Sequence, residues 1–437
     1  MERCAHRPLV RGFARTAICA LALVGFPVRP ALAQEQPDGE GDIELHGFLL
    51  GGVAGRTTGV RPAGDRESDF LLAEERLRLD VGAWADSVEA SLRVKGDFLH
   101  DAVDDECDLD LREAYVDYSE DALDLRLGRQ TATWGVGDLV FINDVFPKDW
   151  VSFFSGRPLE YLKIGVDGLR ARYSSAEMNA ELIAIPFFTP DNVPTGERFF
   201  SFDPFPSDAL REQDLPDSSY GNTELGLRLY RRTAGFDLSA YAYRGFWRWP
   251  SMEPDSFSAP TRVTSFYPAL SVYGMSAQGG ALGGVLSLEA GYYHSRDDEA
   301  GDDAVVPNSQ VRSLIGYQRQ LRQDALLGVQ YYVEVMEDHD AYRAALPAGS
   351  PEQGEYRDLV TLRLEQQLEH QAWKLALMCF YSPADDDYLL QPQVSYKLSD
   401  EVMATVGANV LGGERAWTQF GQLDRNDAVY LVLRFDF

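Results

Sequence analysis

Cysteine is scarce in this chain. Of 437 residues only 4 are cysteine, and Cys4 and Cys19 fall in an N-terminal stretch that reads as an export signal. The remaining pair, Cys107 and Cys379, cannot build a disulfide framework or a thiolate zinc cluster. The Cys-x-x-Cys-His run needed for covalent c-type haem is missing, as is a glycine-rich phosphate loop ending in Lys-Ser or Lys-Thr. The 6 histidines are scattered (His6, His46, His100, His294, His339, His370), with no zinc-protease spacing among them. No cofactor and no metal are therefore expected. No histidine has a serine or acid at a diagnostic offset, so the chain is not expected to be an enzyme. Basic residues are also in deficit: 40 Lys and Arg stand against 69 Asp and Glu, a formal charge of -29. That balance disfavours nucleic acid as a partner. Long apolar runs are absent after the N-terminal stretch, and the mean hydropathy is -0.26 with 25% charged residues. This excludes transmembrane helices but not a barrel, in which only every second residue meets lipid.

What is present begins with an address. Arg3, Arg7, Arg11 and Arg15 form a basic region, an apolar run follows from Ala17 to Phe26, and Ala31-Leu32-Ala33 supplies a small-x-small cleavage site. Residues 1–33 are expected to be a signal peptide, cut before Gln34. The apolar run is too short to span about 30 Å of hydrocarbon as a helix, and Thr16-Ala17-Ile18 before Cys19 is a poor lipidation box. Loss of its five arginines and one glutamate leaves a mature charge of -33. Acidic residues gather in Asp101 to Asp110, Arg296 to Asp303, Glu337 to Asp340 and Asp385 to Asp387. Solubility accounts for them; divalent-cation bridging at a lipopolysaccharide surface is the alternative.

Residues 34–41 are expected to form a short periplasmic segment, and from Asp42 onward one unit recurs: roughly 10 to 14 residues in period-two alternation, the length of a tilted membrane strand. Val88, Ala90, Leu92, Val94 and Phe98 alternate with Glu89, Ser91, Arg93, Lys95 and Asp97. Leu225, Leu227 and Leu229 alternate with Gly226, Arg228 and Tyr230; Leu286, Leu288, Ala290 and Tyr292 with Ser287, Glu289 and Gly291. Helical spacing of three and four is not supplied. Short turns near Asp86, Glu120, Ala176, Ala234, Gly279-Gly280, Arg322, His370 and Ser399-Asp400 alternate with longer links at 56–68, 101–108, 133–163, 188–221, 248–261, 296–308, 338–354, 383–386 and 413–425. The predicted fold is all-β: an up-and-down antiparallel transmembrane barrel of the bacterial outer-membrane type over residues 42–437. About eighteen strands are counted, or sixteen if a weak run near Leu109 or from Asp387 to Leu398 is miscounted.

The C-terminal run supports this. Val429, Leu431, Leu433, Phe435 and Phe437 alternate with Tyr430, Val432, Arg434 and Asp436. Ending on Phe437 after alternate apolar residues resembles the signal read by the barrel-assembly machinery, with Leu431, Leu433, Phe435 and Phe437 as its elements. Aromatics at run ends, among them Phe98, Tyr115, Tyr118, Tyr173, Trp247, Tyr293, Tyr331, Phe380 and Tyr381, are expected in interfacial girdles.

The densest local signal runs from Leu111 to Arg172. Arg112-Glu113-Ala114-Tyr115-Val116-Asp117-Tyr118 is followed by Leu125-Arg126-Leu127-Gly128-Arg129-Gln130 and by Trp134-Gly135-Val136-Gly137-Asp138. These motifs resemble a broad group of uncharacterised outer-membrane porins, and more distantly the phosphate-selective and alginate-export porins. The resemblance implies a barrel and a channel, not a substrate.

The link 133–163 is too apolar for a freely solvated loop, and long structured loops are usually functional. It is expected to fold into the barrel, packing Phe141, Phe146, Trp150, Phe153 and Phe154 on the wall. Trp134, Asp138, Asn143, Asp144, Lys148, Asp149, Arg157, Glu160 and Lys163 would then form a constriction. An external cap is the alternative. On the wall, Arg76, Arg78, Arg93, Lys95, Arg112, Arg126, Arg170, Arg172 and Arg228 sit on polar faces beside acids that include Glu113 and Asp117. Arg or Lys at the bilayer midplane costs about 2–4 kcal/mol, so these residues are expected to line the pore. They would act either as a transverse field or as a salt-bridged scaffold. The expected function is an outer-membrane porin-like channel for passive or selective diffusion of small polar or charged solutes. The alternatives are a sheath around a partner such as a multihaem cytochrome, and a polysaccharide-export barrel. Expected partners are outer-membrane lipid and lipopolysaccharide, the assembly machinery, and a periplasmic or cytochrome protein.

Overall fold

The computed structural model describes residues 42–58, 69–85 and 90–437. The expected signal peptide 1–33, the segment 34–41, the turn at Asp86 with Val88 and Glu89, and most of the link 56–68 lie outside the described residues. In chain order the strands begin with β1 (Asp42–Arg56), β2 (Phe70–Ala85), β3 (Ala90–Asp101), β4 (Glu106–Glu120), β5 (Leu123–Gln130), β6 (Val166–Ser174) and β7 (Asn179–Ile185). After the short β8 (Leu210–Gln213) come β9 (Glu224–Thr233) and β10 (Phe236–Phe246), then the short β11 (Ser251–Pro254) and β12 (Arg262–Phe266). The series ends with β13 (Ala269–Ala281), β14 (Gly284–Ser295), β15 (Gln310–Arg322), β16 (Ala325–Met336), β17 (Tyr356–Leu368), β18 (Trp373–Ser382), β19 (Asp387–Lys397), β20 (Val402–Gly413) and β21 (Ala428–Asp436).

Among the described residues, eighteen of these strands form one sheet, and β8, β11 and β12 form a separate three-stranded one. Each barrel strand runs antiparallel to its neighbours. The sheet closes because β21 pairs with β1 from Phe48↔Asp436 to Arg56↔Ala428. Gly47 and Phe437 exchange two main-chain hydrogen bonds of 3.0 Å at the seam. The C-terminal residues thus complete the last ladder, leaving no open edge.

Two-residue turns at Ala234-Gly235 and Leu282-Gly283 have positive φ at both positions (50° and 83°; 52° and 75°), the geometry that matches strand twist. The second of these corrects the turn expected at Gly279-Gly280. Both glycines stay in the ladder, opposite Leu286 and Val285. The link expected at 101–108 is likewise shorter, since β4 starts at Glu106. The remaining long links gather at the opposite end from the short turns, the arrangement of outer-membrane barrels.

Alternation sets the two faces. Along β10, Ser239, Tyr241, Tyr243 and Gly245 are buried while Ala240 and Arg244 between them are exposed. Leu92, Val94, Leu127, Leu182, Met275, Ile315, Val406, Leu431 and Leu433 are exposed around the outside. A continuous apolar belt of this kind is untenable in water and suits hydrocarbon. No described helix is long and apolar enough to cross a membrane; strands make the crossing.

The inner face is not polar along its whole length. Toward the long-link end Leu270, Leu314, Leu359, Phe380, Leu389 and Leu411 point inward and are buried. They share one cluster with Val140, Ile142 and Phe153 of the 131–165 link. Several aromatics expected in the girdles belong here too. Phe98, Tyr118, Tyr173, Tyr331 and Tyr381 are exposed, but Tyr115, Trp247, Tyr293 and Phe380 are buried inside. Their strand parity, rather than their position at a run end, decides which solvent they meet.

Candidate functional site

Residues 131–165 connect β5 to β6 and contain one short α-helix, α1 (Trp150–Ser155), followed by a 3₁₀ turn at Leu159–Tyr161. The sequence specifies both ends of α1. Asp149 caps it, accepting from the Ser152 N–H at 2.8 Å and the Ser152 hydroxyl at 2.7 Å. Gly156 ends it in the left-handed region with φ of 87°. A Cβ on Gly156 would also stand 2.6 Å from the Tyr430 ring of the wall, so glycine is needed twice over.

The link is fastened to inward side chains of strands all around the barrel. Glu289 on β14 accepts from the main-chain N–H groups of Val136 (2.8 Å), Gly137 (3.0 Å) and Asn143 (2.8 Å), and from the Asn143 amide at 2.9 Å. Trp134 donates its indole N–H to Glu181 on β7 at 2.6 Å. Gln330 on β16 accepts from the Asp138 N–H at 2.9 Å and donates to its carbonyl at 2.9 Å. Asn409 on β20 donates to the Phe154 carbonyl at 2.8 Å. A segment that leaves solvent must have its backbone groups satisfied in this way. Glycines on the wall let the link come close. A Cβ at Gly226, Gly274 or Gly291 would lie 2.6 Å from Trp134, 1.7 Å from Asn143 Oδ1 or 2.8 Å from Ile142.

Ion pairs tie the rest of the link. Arg157 meets Glu74 at 2.8 Å, Glu160 meets Arg78 at 2.9 Å and Arg434 at 2.8 Å, and Asp138 meets Arg363 at 2.7 Å. Lys163 reaches Asp144 at 2.9 Å and Thr133 at 2.7 Å. Asn143, Asp144 and Lys148 are 1%, 6% and 3% exposed, and Asp144 and Lys148 stand in the wall of one of the barrel's internal chambers. Lys148 donates to the Phe146 carbonyl at 2.6 Å and to Asp144 at 3.0 Å. Burial pushes its ammonium below the usual lysine range, with Asp144 opposing that shift. Asp149 is taken up by its cap and by Asn192 at 3.0 Å.

The basic wall of the first half is almost fully matched. Arg76 bonds Glu74 at 2.7 Å and Arg78 bonds Asp97, all four nearly sealed from solvent. Tyr161 of the link lies beneath the guanidiniums of Arg76, Arg78 and Arg112 at 4.4, 5.1 and 5.2 Å. Arg112 also donates to the carbonyls of Glu160 and Lys163 at 3.1 and 2.8 Å. Arg93 pairs with Asp80 at 2.6 Å and lies 3.9 Å from Glu113. Arg126 pairs with Asp117 at 2.7 Å, Arg170 with Glu181 at 2.8 Å and Arg172 with Asp124 at 3.7 Å. Arg228 reaches the Ser239 hydroxyl at 3.2 Å. Lys95 stands opposite Glu113 in the ladder.

Three of the cavities among the described residues border the link. An outer vestibule of about 550 Å³ opens among the long links. Below it a chamber of about 230 Å³ is walled by aromatics. Toward the short turns lies an inner chamber of about 440 Å³. Trp150, Asp191, Trp249, Arg312, Glu334 and Arg357 border both outer cavities, while Leu139 and Phe153 border both the aromatic and the inner one. Of these groups Arg312, Glu334 and Arg357 come from the second half of the wall and the rest from links; among the residues expected to line the pore, Asp117, Arg126, Arg170 and Arg172 border a separate cavity of about 370 Å³ toward the short turns. Glu289, Arg312, Glu334, Arg357 and Arg363 all lie on polar faces of alternating runs. Parity marks them as inward, just as it marks the arginines of the first half.

A family model described as a protein of unknown function (DUF1302) matches residues 77–370. No match is found among curated proteins. Similar solved structures include OccD3 (OpdP) of Pseudomonas aeruginosa, 9% identical with a TM-score of 0.53 over 90% of this chain and 91% of that one. A loop-deletion mutant of OmpT, an outer membrane protein of Vibrio cholerae, is 10% identical with a TM-score of 0.44 over 91% and 99%. A mutant porin of Rh. blastica is 15% identical with a TM-score of 0.41 over 91% and 100%. At these identities the likeness is one of fold, an outer-membrane β-barrel.

Proposed function

We propose that this chain, which belongs to the DUF1302 family, is an outer-membrane porin-like channel that passes small solutes selectively. The observation that carries this reading is the link 131–165, pinned across the lumen between an outer vestibule and an inner chamber. A barrel that only had to persist in the membrane would not need such a segment. The pairing of the arginines favours a salt-bridged scaffold over a bare transverse field, so selectivity is set where the link narrows the path. The sheath reading would require the volume that Ile142, Phe153 and Phe154 fill, and is the weaker for it. Export by residues 1–33 and assembly through Leu431, Leu433, Phe435 and Phe437 belong to the same proposal. Leu431, Leu433 and Phe437 are exposed on the outer face, where an assembly factor could read them.

The test is to delete 136–160 and record single channels in planar bilayers. Conductance should rise several-fold as the lumen clears; an unchanged conductance would overturn the constriction.

A further inference from the structure

The outer vestibule is the part of the lumen that a solute entering from the long-link end meets first. Five carboxylates stand in its wall, Asp191, Glu334, Glu352, Glu355 and Asp385, against three guanidiniums, Arg312, Arg357 and Arg415. Pairing takes up part of this charge. Arg312 meets Glu334 at 3.2 Å, Arg357 meets Asp385 at 3.2 Å with Arg415 at 3.6 Å, and Glu352 turns to Arg343 at 2.8 Å.

The groups behind the wall do not reverse the sign. Asp387, fully buried, adds an acid beside Asp385. Lys148 and Arg248 act on Asp191 from behind, but Lys148 shares Asp144 with Lys163, and Arg248 is held by Glu224. With all of these included, eight carboxylates face seven basic groups. Glu355 is exposed and enters no ion pair among the described residues. The neighbouring links deepen the field: Arg296 to Asp303 holds five acids and one arginine, and Glu337 to Asp340 holds three acids with no Lys or Arg. Such a mouth draws cations in and turns anions away.

Rings stand among these acids. Trp249 and Trp417 line the vestibule and are 44% and 41% exposed. Both border the lumen and not the lipid face, so membrane anchoring does not account for their exposure. Trp249 also borders the aromatic chamber, which places it at the passage between the two cavities. Phe202 stands 6.5 Å from Trp417, centre to centre, and Met252 and Met336 add apolar surface. An indole face is the strongest attractor of cations among the side-chain rings, above all for cations that water holds loosely. Solubility alone would explain the acids, but not large exposed rings set among them.

We infer that the vestibule is a binding subsite for an organic cation, an ammonium or quaternary ammonium group on a small hydrocarbon body. Its charge meets the indole faces within the field of the carboxylates, and its hydrocarbon lies on the apolar surface beside them. This deepens the channel reading and rests on it for the solute's passage, though not for its binding.

The test uses the full-length purified barrel in detergent at low salt, titrated with choline and followed by calorimetry and tryptophan fluorescence. Two comparators are used: the carbon isostere of choline, with a tert-butyl group in place of trimethylammonium, lacks the charge, and sodium lacks the hydrocarbon. Choline should saturate at concentrations about tenfold below either. Trp249→Ala and Trp417→Ala should each weaken choline about threefold to tenfold. Glu355→Gln should weaken it about twofold to threefold, and that difference should vanish near about 1 M salt. Choline binding no tighter than its isostere, or untouched by both tryptophan variants, would overturn the subsite; the three-probe comparison on the unaltered protein decides even if a variant fails to fold. Bilayer recordings on the same preparation separate the two readings. Conductance without choline preference removes the subsite and keeps the channel; choline binding without conductance does the reverse.

Discussion

Two long links leave the same end of the barrel and meet opposite fates. Residues 131–165 carry α1 and are drawn inside. Residues 337–355 carry a helix of similar size, α2 (His339–Ala345), in which Tyr342 is the buried residue, and they remain outside. The outer link satisfies itself locally: the Tyr342 hydroxyl accepts from the Gln353 N–H at 3.1 Å, His339 meets the Gln353 carbonyl at 2.9 Å, and Arg343 pairs with Glu352 at 2.8 Å. The inner link satisfies itself on the wall, through Glu289, Glu181, Gln330 and Asn409. It also buries Ile142, Phe146, Phe153 and Phe154, each contributing about 1.5–3 kcal/mol of transfer free energy. A helix alone does not draw a link inward. What does is an apolar surface on the link together with acceptors and glycines on the facing wall.

The comparison breaks most sharply at Glu289. Its carboxylate serves four N–H donors of the link, and each donor stranded without an acceptor costs about 1–3 kcal/mol. Glu289→Ala should therefore turn the inner link into an outer one. Limited proteolysis should cut within 131–165 while the barrel stays intact on a gel, and conductance should rise toward that of the 136–160 deletion. Continued resistance to protease would mean that apolar packing alone holds the segment.

Much of the barrel is legible in the order of residues alone. Alternation yields strand number and closure because a two-residue period has one physical meaning once one face must meet lipid. The apolar content of Phe141, Phe146, Phe153 and Phe154 marks a link that water would not keep. The wall's share is harder to read. Gly226, Gly274 and Gly291 look like loose strand positions, and their use appears only when Trp134, Asn143 and Ile142 press against them. Glu289 is one carboxylate among many, and its four donors lie about 150 residues away along the chain. Tyr115, Trp247, Tyr293 and Phe380 look like membrane-interface aromatics because composition says nothing of which face a residue takes. Contacts between a link and a distant wall have no period, and so leave no mark in a single sequence.

A smaller effect is expected at Asp138, whose pair with Arg363 spans 2.7 Å with side chains 39% and 32% exposed. At that exposure the pair contributes about 0–1 kcal/mol and is screened by salt. Asp138→Asn should leave the link docked, since Gln330 still holds its backbone. It should make the open channel noisier at about 0.1 M salt, and the difference should vanish near about 1 M. Noise that persists at high salt would show that the side chain acts by packing and not by charge.

The least effect is expected where the outer link is altered. Tyr342→Phe removes the hydroxyl that accepts the Gln353 N–H and keeps the ring. The loss is about 0.5–1.5 kcal/mol, the net worth of one ordinary hydrogen bond, and it falls on contacts confined to residues 337–355. Protease cleavage in that link should quicken by about tenfold at most, because about 1.4 kcal/mol is one decade in an opening equilibrium. Conductance should not move, since none of the ties that hold 131–165 passes through Tyr342. A change in conductance would couple the two links through the vestibule, whose wall includes Glu352, Gln353 and Tyr356 as well as Trp150. The outer link would then be part of the gate, and the contrast between the two would be one of position alone.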